Sequence, residues 1–438
     1  MKAASTSRTV LAWRLDGTIP PAGGENAFSP IGRAATLQEA ICEAAVQSAV
    51  ANYGDKLKAV VLTGSLARHE GTFFREGDCW IQFGDSEFLL VFEEKAKLPL
   101  SEDLFVVQET IESELLRHGL KCRVSLAAVL PTYLRRLQPH IFAYELLTCG
   151  RVLWGEPVIS LIPRFSSAAI PLEDAWRLLC NRMIELLEVS VGITNELCEV
   201  PKEVFYQSVK LYIDMGTSFL VFAGGYEPTY AGRAKRMRSL QAQSSTANSC
   251  PLNLARFAER VVACTQYKLS GAARLQLPDW GRDSNSLALW KEAVADAHLL
   301  WRWELSQLTA TREALTDREL IGRWMRQQSV VQRARGWLFV LRREGWHRSW
   351  RKWLSWAPRA LRASPRYCLY AAASELFFKL PALATADSET KAKENCMRQL
   401  HFRPPVLRNP SLPATPDWRR SASEIAWNYH RFLEGTRS

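Results

Sequence analysis

Residues 60–73 read V-V-L-T-G-S-L-A-R-H-E-G-T-F and residues 84–92 read G-D-S-E-F-L-L-V-F. The unbroken apolar run Ala59–Leu62 is what a strand buried on both faces requires, and Gly64-Ser65 stops it. Such a stop lets backbone amides and a hydroxyl approach a phosphate, although Gly-Ser after a strand also serves as a plain turn. Glu87–Phe92 is a second buried strand. Asp85 and Glu87 stand at i and i+2 on its entry, so their side chains point to one face. Two carboxylates held side by side repel unless a cation offsets them. Hard oxygen ligands on a strand suit a Mg²⁺ shared with substrate phosphates; a solvated strand end is the plainer alternative.

Outward from this pair, Thr36–Asn52 has helical spacing with a capping box at Thr36 and Glu39. Residues 102–118 form an amphipathic helix, and Cys122–Leu130 forms a third strand closed by Pro131. Beyond Pro131 the 3.6-residue period takes over in Leu172–Val189, Glu203–Ala223, Leu252–Lys268, Ser286–Gln307 and Arg318–Arg343. Turn-rich stretches separate them, at Gly224–Pro228 and Gln241–Pro251 among others. A proline-rich stretch, Pro404–Pro416, precedes a last helix with Ser421 and Glu424 as its capping box and Gly435 at its stop. The expected class is α+β, a mixed sheet with flanking helices followed by a largely all-α region. The expected divisions are a loose arm at 1–35, a sheet unit at 36–160, a helical unit at 170–380 and a tail at 381–438.

With 438 residues, 47% hydrophobic and 23% charged, the chain is neither disordered nor collagen-like. No apolar run reaches the ~18 residues of a membrane span, and no signal-peptide pattern follows Lys2 and Arg8. The ten cysteines form no C-x-x-C pair. A cytoplasmic, reduced chain is the expectation. The formal charge of +11 favours anionic partners, and residues 320–370 account for all of it, with twelve Lys/Arg against one acid, Glu344.

Taken together, the helix, the strand ending in hydrophobic-Gly-Ser and the D-S-E opening the next strand resemble the nucleotidyltransferases of the DNA polymerase beta superfamily. The G-S-L-A-R-H-E form looks like that of small bacterial-type members with a helical C-terminal domain. Tyr144–Gly155 (Y-E-L-L-T-C-G-R-V-L-W-G) is similar to the element that closes their sheet. The resemblance spans about residues 36–157. It implies metal-dependent transfer of a nucleoside monophosphate from a nucleoside triphosphate to a hydroxyl acceptor. Asp85 and Glu87 would hold Mg²⁺ (or Mn²⁺), Gly64 and Ser65 would cradle the phosphates, and Arg68 would compensate their charge. Two departures stand out. The gap from Ser65 to Asp85 is long, which implies an extra hairpin around Arg75–Gly84. The third strand has no Asp or Glu: Ser125 stands where the family places a third carboxylate, leaving Glu145 and Asp78 as substitutes. The alternative is a catalytically degraded fold that binds a nucleotide or a partner as a regulatory module.

Three further signals are open to two readings or more. Lys210 lies four residues before Asp214, either as an i,i+4 ion pair or as a lysine on nucleotide phosphate. Tyr226, Tyr230 and Arg233 form either a base-stacking loop or a packed turn. In 320–370 six tryptophans interleave with the basic residues. Trp346, Trp350 and Trp353 would share a helical face as core, as an anionic membrane-surface contact, or as a grip on a polyanion such as RNA.

Overall fold

The computed structural model describes residues 30–193, 200–242, 250–270, 283–344, 358, 360–385 and 418–436. The sheet region contains helix α1 (Pro30–Tyr53), strand β1 (Leu57–Thr63) and the short helix α2 (Gly64–Ala67). Next come β2 (Thr72–Glu76), β3 (Cys79–Phe92), α3 (Ser101–Arg117), β4 (Leu120–Val129), α4 (Pro131–Arg135), α5 (Ile141–Cys149) and β5 (Arg151–Gly155). The long β3 organises the sheet. Its first half pairs antiparallel with β2, its second half antiparallel with β1, and β4 runs parallel along its other side. The hairpin expected near Arg75–Gly84 is β2–β3, and β5 closes the far edge against β1. Side-chain alternation sends Val60, Leu62, Phe88, Leu90 and Phe92 into a core shared with α1 and α3. Ala59, Val61, Leu89 and Val91 enter a second core with α4 and α5.

The helical region follows with α6 (Leu172–Ser190), α7 (Lys202–Phe222), α8 (Tyr230–Ala242), α9 (Leu254–Ser270), α10 (Asp283–Leu308), α11 (Asp317–Gln327) and α12 (Val330–Glu344). Helices Pro365–Phe377, Leu380–Thr385 and Trp418–Thr436 follow among the described residues. One continuous core joins all of these helices except α12 around the buried Trp176, Tyr212, Trp290, Trp301 and Trp418. The α+β class is thus as the sequence reads. No described helix is long and apolar enough to cross a membrane, and every described cysteine is a free thiol.

Several boundaries differ from the sequence reading. Helix α1 begins at Pro30, a residue whose fixed φ suits the first helical turn, so the Thr36/Glu39 box lies inside the helix rather than at its start. The single helix expected over 318–343 is two. Ser329 Oγ accepts from the amide of Gln332 while Gln332 Oε1 accepts from the amide of Ser329, a reciprocal cap that starts α12. Tyr230 opens α8 where a loop is expected. The last helix starts at Trp418 and runs to Thr436, so neither Ser421/Glu424 nor Gly435 marks its ends. The arm 1–29, Pro404–Pro416, and Trp346, Trp350, Trp353 and Trp356 lie outside the described residues.

Glu304 of α10 is wholly buried in the helical core. Its Oε1 accepts from the Ser218 hydroxyl of α7 at 2.6 Å, and its Oε2 has no partner. Burial raises its pKa from 4.5 to about 8. The folded chain therefore keeps a proton that the unfolded chain releases above the ordinary carboxylate range. The stabilising effect is complete below that range and is lost as pH climbs to about 8. The loss amounts to no more than about 1.4 kcal/mol per pH unit. Urea unfolding near pH 5 and near pH 8 should show Glu304→Gln with a shallower decline than the parent chain.

Candidate active site

The end of the second sheet face carries the carboxylate pair. Asp85 and Glu87 continue the row of Leu89 and Val91 past its apolar end, and both are exposed. Across the sheet Glu87 lies between Thr63 on β1 and Ser125 on β4, and Asp85 lies beside Arg123. Gly64 follows Thr63 at a φ of +67°, and a Cβ there would come within 2.9 Å of Glu87 Oε2. The glycine thus supplies both the left-handed turn and the space in which the Glu87 carboxylate sits over the start of α2. Gly64→Ala should cost about 1–2 kcal/mol of stability through the φ strain alone. Because the exposed Glu87 side chain must also move, any transfer activity should drop about a hundredfold, the scale of an ångström's misplacement. Thermal unfolding and a rate assay on the same preparation would separate the two effects.

Ser125 does occupy the register position opposite Glu87, and neither substitute carboxylate is free to replace it. Asp78 sits in the β2–β3 turn, fully exposed and paired with Arg75. Glu145 is engaged elsewhere, as described below. Two carboxylates suit a Mg²⁺ that draws its remaining ligands from phosphate and water rather than from a protein cage. Among the described residues there is no group of three or more His, Cys, Asp or Glu that could hold a metal ion.

The helical region brings cations to this pair. A bulge shifts the β3–β4 register between Ile81 and Asp85, where Gly84 takes a φ of +116°. Lys268, at the end of α9, packs its Nζ against Gly84 and donates to the Phe83 carbonyl at 2.9 Å and to the Tyr206 hydroxyl at 3.3 Å. Its own carbonyl accepts from Thr72 of β2. Burial, reinforced by the charges of Lys210, Arg182 and Arg68, lowers the Lys268 pKa to about 7, and Asp85 opposes the fall. Lys210 of α7 lies 4.9 Å from the Tyr206 ring centroid. Its pKa is also lowered, first by burial and then by Arg182, with Glu185, Asp214 and Asp85 opposing. Lys210 does not pair with Asp214, which accepts instead from Arg182 Nε at 2.6 Å. Two poorly solvated ammonium groups therefore share one place with Asp85, a setting that favours an incoming anion.

Arg68 and Glu70 join the two regions. The Arg68 side chain is only 4% exposed. It donates to Glu70 at 3.1 Å and to Glu145 at 2.6 Å, and its guanidinium lies over the Tyr230 ring. Glu70 accepts from the first amides of α8, Tyr230 and Ala231, both at 2.9 Å. It thus caps that helix from across the boundary, and the partial positive charge of the helix start favours it there. Glu145 also accepts from the Tyr226 hydroxyl and from Arg233. Tyr226, Tyr230 and Arg233 therefore pack together at the start of α8, with the Arg233 guanidinium against both rings. His69 sits exposed after α2 at a φ of +58°.

The site thus gathers Gly64, Ser65, Asp85, Glu87 and Lys210 from the sequence reading and adds Lys268, Arg182 and Tyr206. Lys268 had a local signal. It falls on the apolar face of α9 with Phe257, Val261, Cys264 and Thr265, where a lysine has no reason to be unless something meets it. No protein-family model matches the chain, and no curated protein matches it. Among solved structures, the spectinomycin adenyltransferase AAD(9) from Enterococcus faecialis, determined with ATP and spectinomycin, is similar at a TM-score of 0.33 and 11% identity. That match covers 59% of this chain and 98% of that one.

Proposed function

We propose that the chain is a metal-dependent nucleotidyltransferase, moving a nucleoside monophosphate from a nucleoside triphosphate onto a hydroxyl acceptor. The observation that carries this reading is that Asp85, which shares a strand face with Glu87 beside Gly64, acts electrostatically on both the half-buried Lys210 and the buried Lys268. A carboxylate pair facing a cationic pair is what a triphosphate and its divalent cation need at once. In this reading Asp85 and Glu87 hold Mg²⁺ or Mn²⁺, which would neutralise phosphate charge as pyrophosphate leaves. Lys210 and Lys268 meet the phosphate oxygens, and backbone amides and the hydroxyl of Gly64-Ser65 complete the cradle. Helix α2 has only four residues, so it contributes individual amides rather than a macrodipole. Arg68 is occupied by Glu70 and Glu145, so in this reading it adds positive charge near the phosphates without donating to them. The acceptor oxygen bonds to the α-phosphorus, the bond to the bridging oxygen breaks, and the hydroxyl proton passes to water. Positioning and charge neutralisation account for catalysis.

The second reading, a nucleotide- or partner-binding module without turnover, draws on Ser125, since a serine neither neutralises a metal ion nor takes a proton at neutral pH. Each labelled nucleoside triphosphate, incubated with Mg²⁺ or Mn²⁺ and a cell extract as acceptor source, separates the two. Label transfer that disappears with Asp85→Ala supports the enzyme. Metal-independent nucleotide binding with no pyrophosphate released supports the module.

A further inference from the structure

Among the described residues, helix α12 packs on the molecule through Trp337 and Leu341. Trp337 and Leu341 form a small cluster with Val340 and Ala360, apart from the main helical core. Trp337 Nε1 donates to the Ala363 carbonyl at 2.8 Å, and Arg333 donates to that of Leu361. The opposite side is a stripe of Val331, Arg335, Leu338 and Arg342, spaced four, three and four residues apart and exposed at every position. Val331 is 60% exposed and Leu338 41%, and Leu361 in the neighbouring turn is 77% exposed with Arg362 exposed beside it. Helix α12 itself carries four arginines, Arg333, Arg335, Arg342 and Arg343, against the single acid Glu344, within the basic stretch 320–370.

We infer that this face of α12 docks on an anionic lipid surface. The charge selects a polyanion, and the aliphatic residues choose between polyanions. Single-stranded nucleic acid is gripped by aromatic platforms interleaved with basic groups, whereas the exposed apolar groups on this stripe are valine and leucine, which have no stacking face. Aliphatic side chains alternating with arginines on one side of a helix are what an interfacial helix immerses, arginines reaching headgroups and aliphatic groups entering the acyl boundary.

The test is sedimentation of the full chain with vesicles of phosphatidylcholine alone and of phosphatidylcholine mixed with phosphatidylglycerol, beside a fluorescent oligouridylate titration. Pelleting with the phosphatidylglycerol vesicles only, weakening as salt rises, is the expected result. Arg335→Ala with Arg342→Ala should weaken it about thirtyfold, and Leu338→Ser about tenfold. All three positions are on the surface, so unchanged circular dichroism and melting temperature confirm that each variant is folded. Equal pelleting with neutral vesicles, no pelleting at all, oligouridylate binding without vesicle binding, or vesicle binding unaffected by Leu338→Ser would each overturn the inference.

Discussion

In the proposed reaction Asp85→Ala and Glu87→Ala should each lower metal-dependent pyrophosphate release about a hundredfold to a thousandfold, the scale on which one preorganised electrostatic group contributes to a transition state. Neither should move the melting temperature by more than about a degree, because both side chains are exposed at a strand end and substitutions there change stability by about ±0.5 kcal/mol or less. A third measurement distinguishes loss of chemistry from loss of binding. Asp85 acts electrostatically on both Lys210 and Lys268. Removing its charge takes away the one carboxylate that acts on both lysines, so at about pH 6, where Lys268 remains protonated, Asp85→Ala should bind inorganic tripolyphosphate more tightly than the parent when no metal is added. Titration calorimetry in a chelator would read this. Weaker metal-free binding in that variant would mean that the carboxylate and the lysines do not share a site, and the reading of a charge-matched triphosphate pocket would fail.

The second large effect concerns stability. Glu145 receives Arg68 at 2.6 Å, the Tyr226 hydroxyl at 2.7 Å and Arg233 at 3.2 Å, while Glu70, 7% exposed, receives Arg68 from the other side. Two buried guanidinium groups are balanced by two carboxylates. Glu145→Ala leaves two cations to one anion in a place that water scarcely reaches, and should cost about 3–5 kcal/mol in urea unfolding. Combining it with Arg233→Met restores charge balance with an apolar side chain of similar length and should recover more than half of the loss. If the double variant were as unstable as the sum of its parts, the four residues would be acting as packing rather than as a charge-balanced set.

How much of this was legible in the sequence depends on the distance over which each feature is determined. β1 and the second half of β3 are runs of buried aliphatic residues, and Asp85 and Glu87 share a face by the period of a strand, so a few adjacent residues suffice. The cap of α8 is different. Its acceptor is Glu70, about 160 residues earlier, and nothing near Tyr230 except Thr229, whose hydroxyl accepts from the Gly232 amide, announces a helix start. Lys210 and Asp214 have the spacing of an ion pair, yet Arg182 on the adjacent α6 offers Asp214 a better-placed partner, which local spacing cannot reveal. The start of α12 was readable: S-V-V-Q is a capping box in the plain sense, hidden only because the helical period runs across it.

The position of Glu70 has a consequence for how the chain is made. A ribosome releases the sheet region first, with Glu70, Glu145 and Arg68 already able to meet, so the nascent unit carries one unanswered negative charge at what will become its docking face. Arg233 and the start of α8 emerge on the order of ten seconds later at ordinary synthesis rates of roughly 5–20 residues per second. They bring the missing positive charge and the two amides that Glu70 will receive. Until then a helix-capping carboxylate waits without its helix, since synthesis order brings the receiver out of the ribosome before the segment it receives.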